Sequence, residues 1–179
     1  MYYFKYTPGF QFRDSTKPIE LYQGSRKIGV IKRIYKNWFT KLLDTSILNN
    51  WFTAYEIVDH NNELKFKSKE SSSFFGKKQY DVIYFDANDQ EHVLVLKDVR
   101  KFHFSPIVEF YYKGVIHTVT RKERFGWTEW IKDEQLIAKW KRMNVALPDE
   151  IEIQVVNGDY LDDIFLIVGV FHTFFYDWG

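Results

Sequence analysis

The chain has 179 residues, 45% of them apolar, with 25 Lys and Arg against 24 Asp and Glu: enough for one domain with a substantial core. A net charge of +1 argues against a whole-surface nucleic-acid binder. The absence of cysteine excludes disulfide frameworks, thiol catalysis, Cys-ligated zinc and iron–sulfur clusters.

Short apolar/polar alternations cut by turn residues run along the chain, the mark of antiparallel β structure. Tyr2–Tyr6 reads as a first strand. Ile19–Tyr22 and Lys27–Tyr35 flank Gln23-Gly24-Ser25 as a hairpin. If Ile28, Val30 and Ile34 face the core, so does Lys32, unless a bulge resets the register there; that bulge is predicted. Asn37–Trp51 is a longer connection whose spacing allows a short helix. Thr53–Asp59 turns at His60-Asn61-Asn62 into Glu63–Lys69. Gln79–Phe85 turns at Asp86–Asp89 and returns as His92–Lys97. Ile107–Tyr112 pairs over Lys113-Gly114 with Val115–Arg121. Trp127–Ile131, Gln135–Trp140 and Ile151–Val156 complete about a dozen strands, at a spacing typical of sandwiches and barrels.

The C-terminus departs from this pattern. From Ile164 to Tyr176 only Gly169, His172 and Thr173 interrupt apolar residues, a run too long for an ordinary strand. A helix over about 159–177 is predicted, with Asp159 as N-cap and Asp162 and Asp163 favoured by the dipole in its first turn. Apolar all round, it is buried or membrane-inserted. A span needs roughly 20 residues, so burial is expected, with no transmembrane segment. A sheet closed into a barrel accepts such a helix through its centre and removes its own edges. The expected domain is thus a single one over 1–179, mainly β, about twelve antiparallel strands around a buried hydrophobic helix.

The hairpin FTAYEIVDHNNELKFKSKE, the pair DVIYFDANDQEHVLVLKD, the strand LIAKWKR and the closing LDDIFLIVGVFHTFFYDW carry a resemblance. In them the chain resembles the tubby C-terminal-like superfamily, which includes LURP-one-related proteins and phospholipid scramblases. The resemblance implies a twelve-stranded barrel around a hydrophobic C-terminal helix. For tubby proteins it implies phosphoinositide binding through basic residues on the barrel. The acylated cysteine cluster of scramblases has no counterpart in a chain without cysteine. The resemblance carries over no functional residue.

The chemistry of known sites finds little support. Histidines at 60, 92, 103, 117 and 172 show no metal-ligand spacing, so no metal and no cofactor are expected. Within the apolar helix, His172 is expected as a neutral imidazole bonded to a barrel-wall carbonyl or water, with a pH-sensitive, ligand-facing role as the alternative. The acidic turn Asp86–Glu91 lacks the Gly and Glu positions of an EF-hand and reads as a hairpin turn. Asp162 and Asp163, adjacent on a helix, point about 100° apart and suit capping better than acid–base work. No phosphate-cradling glycine loop or nucleophile elbow occurs. The protein is expected not to be an enzyme. Its aromatics suit a barrel core better than base stacking, so nucleic acid is an unfavoured partner.

Charge placement is more informative. Leu21 to Leu43 holds six basic residues and no acid, and Val145 to Gly179 seven acids and no Lys or Arg, which predicts a dipolar surface. In ELKFKSK, Lys65, Lys67 and Lys69 alternate with Leu64, Phe66 and Ser68, placing three ammonium groups in a row on the outer face. The following ESSSFFGKK sets Phe74 and Phe75 in a small-residue loop beside Lys77 and Lys78. Lysines beside a protruding aromatic pair are what an interfacial membrane contact needs. Edge protection and closure of a barrel end explain the same residues without a ligand. The reading is a domain that binds anionic phospholipid headgroups, with protein–protein interaction as the alternative. MYYFKYTPGF lacks the features of a signal peptide, so a cytoplasmic site, peripheral at the membrane, is expected. Lysine outnumbers arginine 18 to 7, a sign of an AT-rich, bacterial genome.

Overall fold

Each strand pairs with its neighbours in sequence, and the first pairs with the twelfth, so the sheet closes into an up-and-down antiparallel barrel. A computed structural model describes this fold over residues 1–7, 17–34, 54–74, 77–100, 105–121, 126–143 and 150–175. The strands are β1 (Tyr2–Tyr6), β2 (Ile19–Gln23), β3 (Arg26–Ile34), β4 (Ala54–Asp59), β5 (Leu64–Phe74) and β6 (Lys77–Phe85). They continue as β7 (Glu91–Asp98), β8 (Ile107–Tyr112), β9 (Val115–Arg121), β10 (Thr128–Lys132), β11 (Gln135–Arg142) and β12 (Ile151–Val155). A 3-10 turn (Gly158–Tyr160) leads into helix α1 (Ile164–Phe175). The connection Asn37–Trp51, expected to hold a short helix, lies outside the described residues.

The period of two in the sequence becomes the inside and outside of the barrel. On β6, Val82 and Tyr84 are buried; on β7, Leu94 and Leu96 are. Inward side chains include Tyr6, Phe66, Tyr112, Trp130 and Trp140, large enough to reach the helix at the centre. Every α1 residue except Phe165 is buried, so its all-round apolarity meets an all-round wall. Each fully buried Leu, Ile, Val or Phe contributes roughly 1.5–3 kcal/mol, making the helix the largest single piece of the core.

Local detail departs from the sequence expectation in three places. Asp159 does not cap α1; it lies in the 3-10 turn, whose cap is Asn157, with Oδ1 accepting the Asp159 amide at 3.0 Å. The helix begins at Ile164, where the Asp163 carbonyl accepts the first helical amide, from Ile167, at 3.0 Å. The bulge expected near Lys32 sits instead at Ile28, since Leu21 pairs with Gly29 but Tyr22 pairs with Lys27. The extra residue leaves Gly29 and Ile31 buried, and Lys32 reaches Asn62 at 3.2 Å. Finally, Ser71–Phe74 is strand rather than loop. β5 continues through it, bulged between Glu70 and Ser72, and Phe74 pairs with Lys77.

Candidate functional site

Alternating antiparallel connections give the barrel two chemically different rims. The β2–β3, β4–β5, β6–β7, β8–β9 and β10–β11 turns and the β12–α1 link all share the rim where α1 begins. That rim carries Asp59, Glu63, Asp86, Asp89, Glu91, Asp133, Glu134, Asp159, Asp162 and Asp163 against Arg26, Lys27, Lys65, Lys113 and Lys132. The acids lie around the positive end of the helix dipole. Towards the opposite rim lie Arg33, Lys69, Lys78, Arg100, Arg121 and Arg142, against Glu70, Asp98 and Glu150. There Arg121 donates to the Phe175 carbonyl at 3.4 Å, complementing the helix C-terminus. Burial, then the neighbouring Arg142, lowers the Arg121 guanidinium to about 10.

The predicted lysine row is distributed along this axis. A second bulge, at Lys65, interrupts β4–β5 pairing, since Ile57 pairs with Phe66 but Val58 pairs with Leu64. Lys65 binds Asp89 on the β6–β7 turn and lies 3.4 Å from Glu63. The bond to Asp89 raises its pKa above the usual lysine range. Lys67 pairs across strands with Glu56 at 2.7 Å. Lys69 is exposed, in register with Ala54 and Asp81. Lys78 is half-buried opposite Ser73. Phe74 and Lys77 pair as the last residues of the hairpin, and Phe75 falls outside the described residues. β4–β5 pairing ends at Lys69 and β6–β7 pairing at Gln79, so the hairpin end runs on beyond both registers.

The titratable groups of the interior are engaged in the fold. Asp163 accepts the hydroxyls of Tyr84 (3.0 Å) and Tyr112 (2.7 Å) and pairs with Lys113 at 2.6 Å. Burial and this carboxylate push both phenols well above the ordinary tyrosine range. Sequence reasoning assigned Asp163 a dipole role and missed its partners, which arrive from β6 and β8. His117 lies between the Trp130 indole, 2.9 Å from Nδ1, and the Tyr112 carbonyl, 3.2 Å from Nε2, and burial lowers its pKa. His172 is buried, and its Nδ1 lies 3.2 Å from the Tyr6 hydroxyl. The Trp140 indole donates to the same hydroxyl at 3.1 Å. Burial, then Arg33, lowers the His172 pKa to about 3.

Among the described residues, no cluster of His, Asp and Glu could hold a metal ion. Nor is any helix there long and apolar enough to cross a membrane. Searches of curated proteins and of solved structures found no match. The family described as Tubby C-terminal like domain matches residues 4–177, from β1 to beyond the end of α1. A closed twelve-stranded barrel threaded by its own C-terminal helix, matched over nearly its whole length, therefore belongs to the tubby C-terminal-like family.

Proposed function

We propose that this domain binds anionic phospholipid headgroups and attaches reversibly to a membrane surface through the rim where α1 ends. The observation that carries the reading is the segregation of charge along the barrel axis, acids at one rim and cations at the other. In the sequence, five of the six stretches between successive strands on that side hold Phe or Trp near Lys or Arg (GFQFR, KNWFTK, FFGKK, RKFHF and KERFGW); the sixth, MNVALPDE, does not. Basic residues draw the protein to the surface and aromatic ones insert shallowly. Family membership agrees, since tubby-like barrels often bind phosphoinositides or proteins and are generally not enzymes.

Within this reading Lys69, Lys77 and Lys78 supply the nearest cations, and Phe74 and Phe75 the apolar contact. Lys65 and Lys67, already paired with carboxylates, contribute less. At about 1 kcal/mol per basic residue, five lysines provide at most roughly 5 kcal/mol, a sub-millimolar affinity that salt weakens. Sedimentation with vesicles tests it: the protein pellets with phosphatidylserine-containing vesicles at low salt and stays in solution with phosphatidylcholine alone. Replacing Lys69, Lys77 and Lys78 by Ser reduces pelleting with little change in melting temperature. A wild-type protein indifferent to anionic vesicles at low salt rejects the reading.

One observation favours the protein-binding alternative. Outward side chains of four adjacent strands form an apolar stripe: Ile83, Val93, Val95, Tyr111 and Ile116, with Val93 72% and Ile116 62% exposed. Such a stripe suits contact with another protein. Val93→Lys with Ile116→Lys separates the readings, removing a protein contact while leaving vesicle binding intact.

A further inference from the structure

The rim where α1 begins holds a cavity of about 390 Å³, within the range of small-molecule sites, about 300–1,000 Å³. Phe4, Ile28, Leu161 and Phe165 form apolar parts of its lining. The Phe165 ring packs over Gly29 so closely that a methyl group on that residue would lie 2.9 Å from it. Most charged groups around the cavity are already engaged. Asp59 Oδ1 accepts the amides of Asn61 and Glu63, both at 2.9 Å. Asp86 accepts the amides of Asn88 and Gln90 and bonds His92. Lys65 is held by Asp89 and Glu63.

Two charges in the lining are different. Arg26 and Asp162 both line the cavity and are exposed, and among the described residues neither side chain has an ion-pair or hydrogen-bond partner. One cavity thus presents a free cation, a free anion and an apolar wall. A lone anion would satisfy Arg26 and face Asp162; a lone cation would do the reverse. A molecule bearing both charges satisfies the two together.

We infer that this cavity is a binding site for a zwitterionic amphiphile, its anionic group on Arg26, its ammonium group on Asp162 and its chain against Phe4, Ile28 and Phe165. The site lies at the opposite end of the barrel from the proposed membrane contact, so the two stand or fall separately.

Calorimetric titration of the full chain with three chain-matched amphiphiles, each below its micellar concentration, tests the inference. The probes are decylphosphocholine, decyl phosphate and decyltrimethylammonium. Decylphosphocholine is expected to bind tightest, and Arg26→Gln and Asp162→Asn each to weaken it roughly fivefold. Asp162→Asn should leave decyl phosphate binding undiminished, and Arg26→Gln should do the same for decyltrimethylammonium. Both replaced residues are exposed, so unchanged melting curves confirm intact variants. No binding of decylphosphocholine, equal binding of all three probes, or insensitivity to both substitutions overturns the inference.

Discussion

Asp163 and Tyr112 meet at 2.7 Å, carboxylate to hydroxyl, and the contact fastens the start of α1 to the barrel wall. Tyr84 and Lys113 complete the joint, so a single side chain ties β6, β8 and the helix together. Asp163→Ala would leave the Tyr112 hydroxyl without its acceptor and Tyr84 with only the Asp162 carbonyl at 3.5 Å. The expected loss is about 3 kcal/mol in urea unfolding. Lys113→Ala removes only the half-exposed cation and leaves Asp163 both hydroxyl donors, so a smaller loss than at Asp163 is expected. A loss at Lys113 as large as at Asp163 would contradict this division.

His172 is expected to make the fold less stable in acid. Its folded pKa of about 3 lies below the ordinary histidine value, so the unfolded chain takes up the proton first as pH falls. The stability associated with the neutral ring is complete above about pH 6.5 and is lost progressively as pH falls towards 3. The shift of His117 has the same sign. Urea midpoints measured from pH 7 to pH 4 should fall, and His172→Gln should flatten part of that slope. An unchanged slope in the variant would place the acid sensitivity elsewhere.

Gly169 on α1 faces the ring of Phe66, and a methyl group at that position would overlap it. Alanine favours a helix by about 1 kcal/mol over glycine. Overpacking in a dense core costs about 1–3 kcal/mol, and Phe66 is fully buried. Gly169→Ala should therefore be net destabilising in thermal unfolding, and adding Phe66→Leu should recover part of the loss. A more stable single variant would mean that the ring shifts freely.

Truncation before Ile164 removes the buried Leu166, Ile167, Phe171 and Phe175 together with the rest of α1. At roughly 1.5–3 kcal/mol each, these side chains alone approach or exceed the net stability of a domain, about 5–15 kcal/mol. The shortened chain should be insoluble or fail to melt cooperatively in calorimetry. A soluble barrel with a sharp transition would show that the wall stands without the helix.

The sequence disclosed whatever depends on local pattern. The alternation of DVIYFDANDQEHVLVLKD is the inside and outside of β6 and β7, and the apolar run after Asp163 is the buried helix. It disclosed less where distant residues decide. Asp159 has the chemistry of a helix cap, but Asn157 forms the local turn and tyrosines from the wall hold Asp163, so α1 starts later. The three lysines of β5 alternate cleanly, yet a bulge diverts Lys65 to Asp89 and a cross-strand partner takes Lys67. Bulges depend on pairing register, which strand alternation does not encode. The cavity at the acidic rim gathers residues from β1, three hairpins and the helix entry, and no segment alone foreshadows it.

The order of elements also sets a schedule for synthesis. All twelve strands precede α1 in the chain, so a ribosome releases the wall before the core that fills it. At about 5–20 residues per second, the twelve strand segments wait for their helix on the order of seconds. During that interval the inward faces of Phe66, Trp130 and Trp140 have no final partner. A chaperone that shields aromatic surface would have its greatest effect in this window, and slow codons after Val155 would lengthen it.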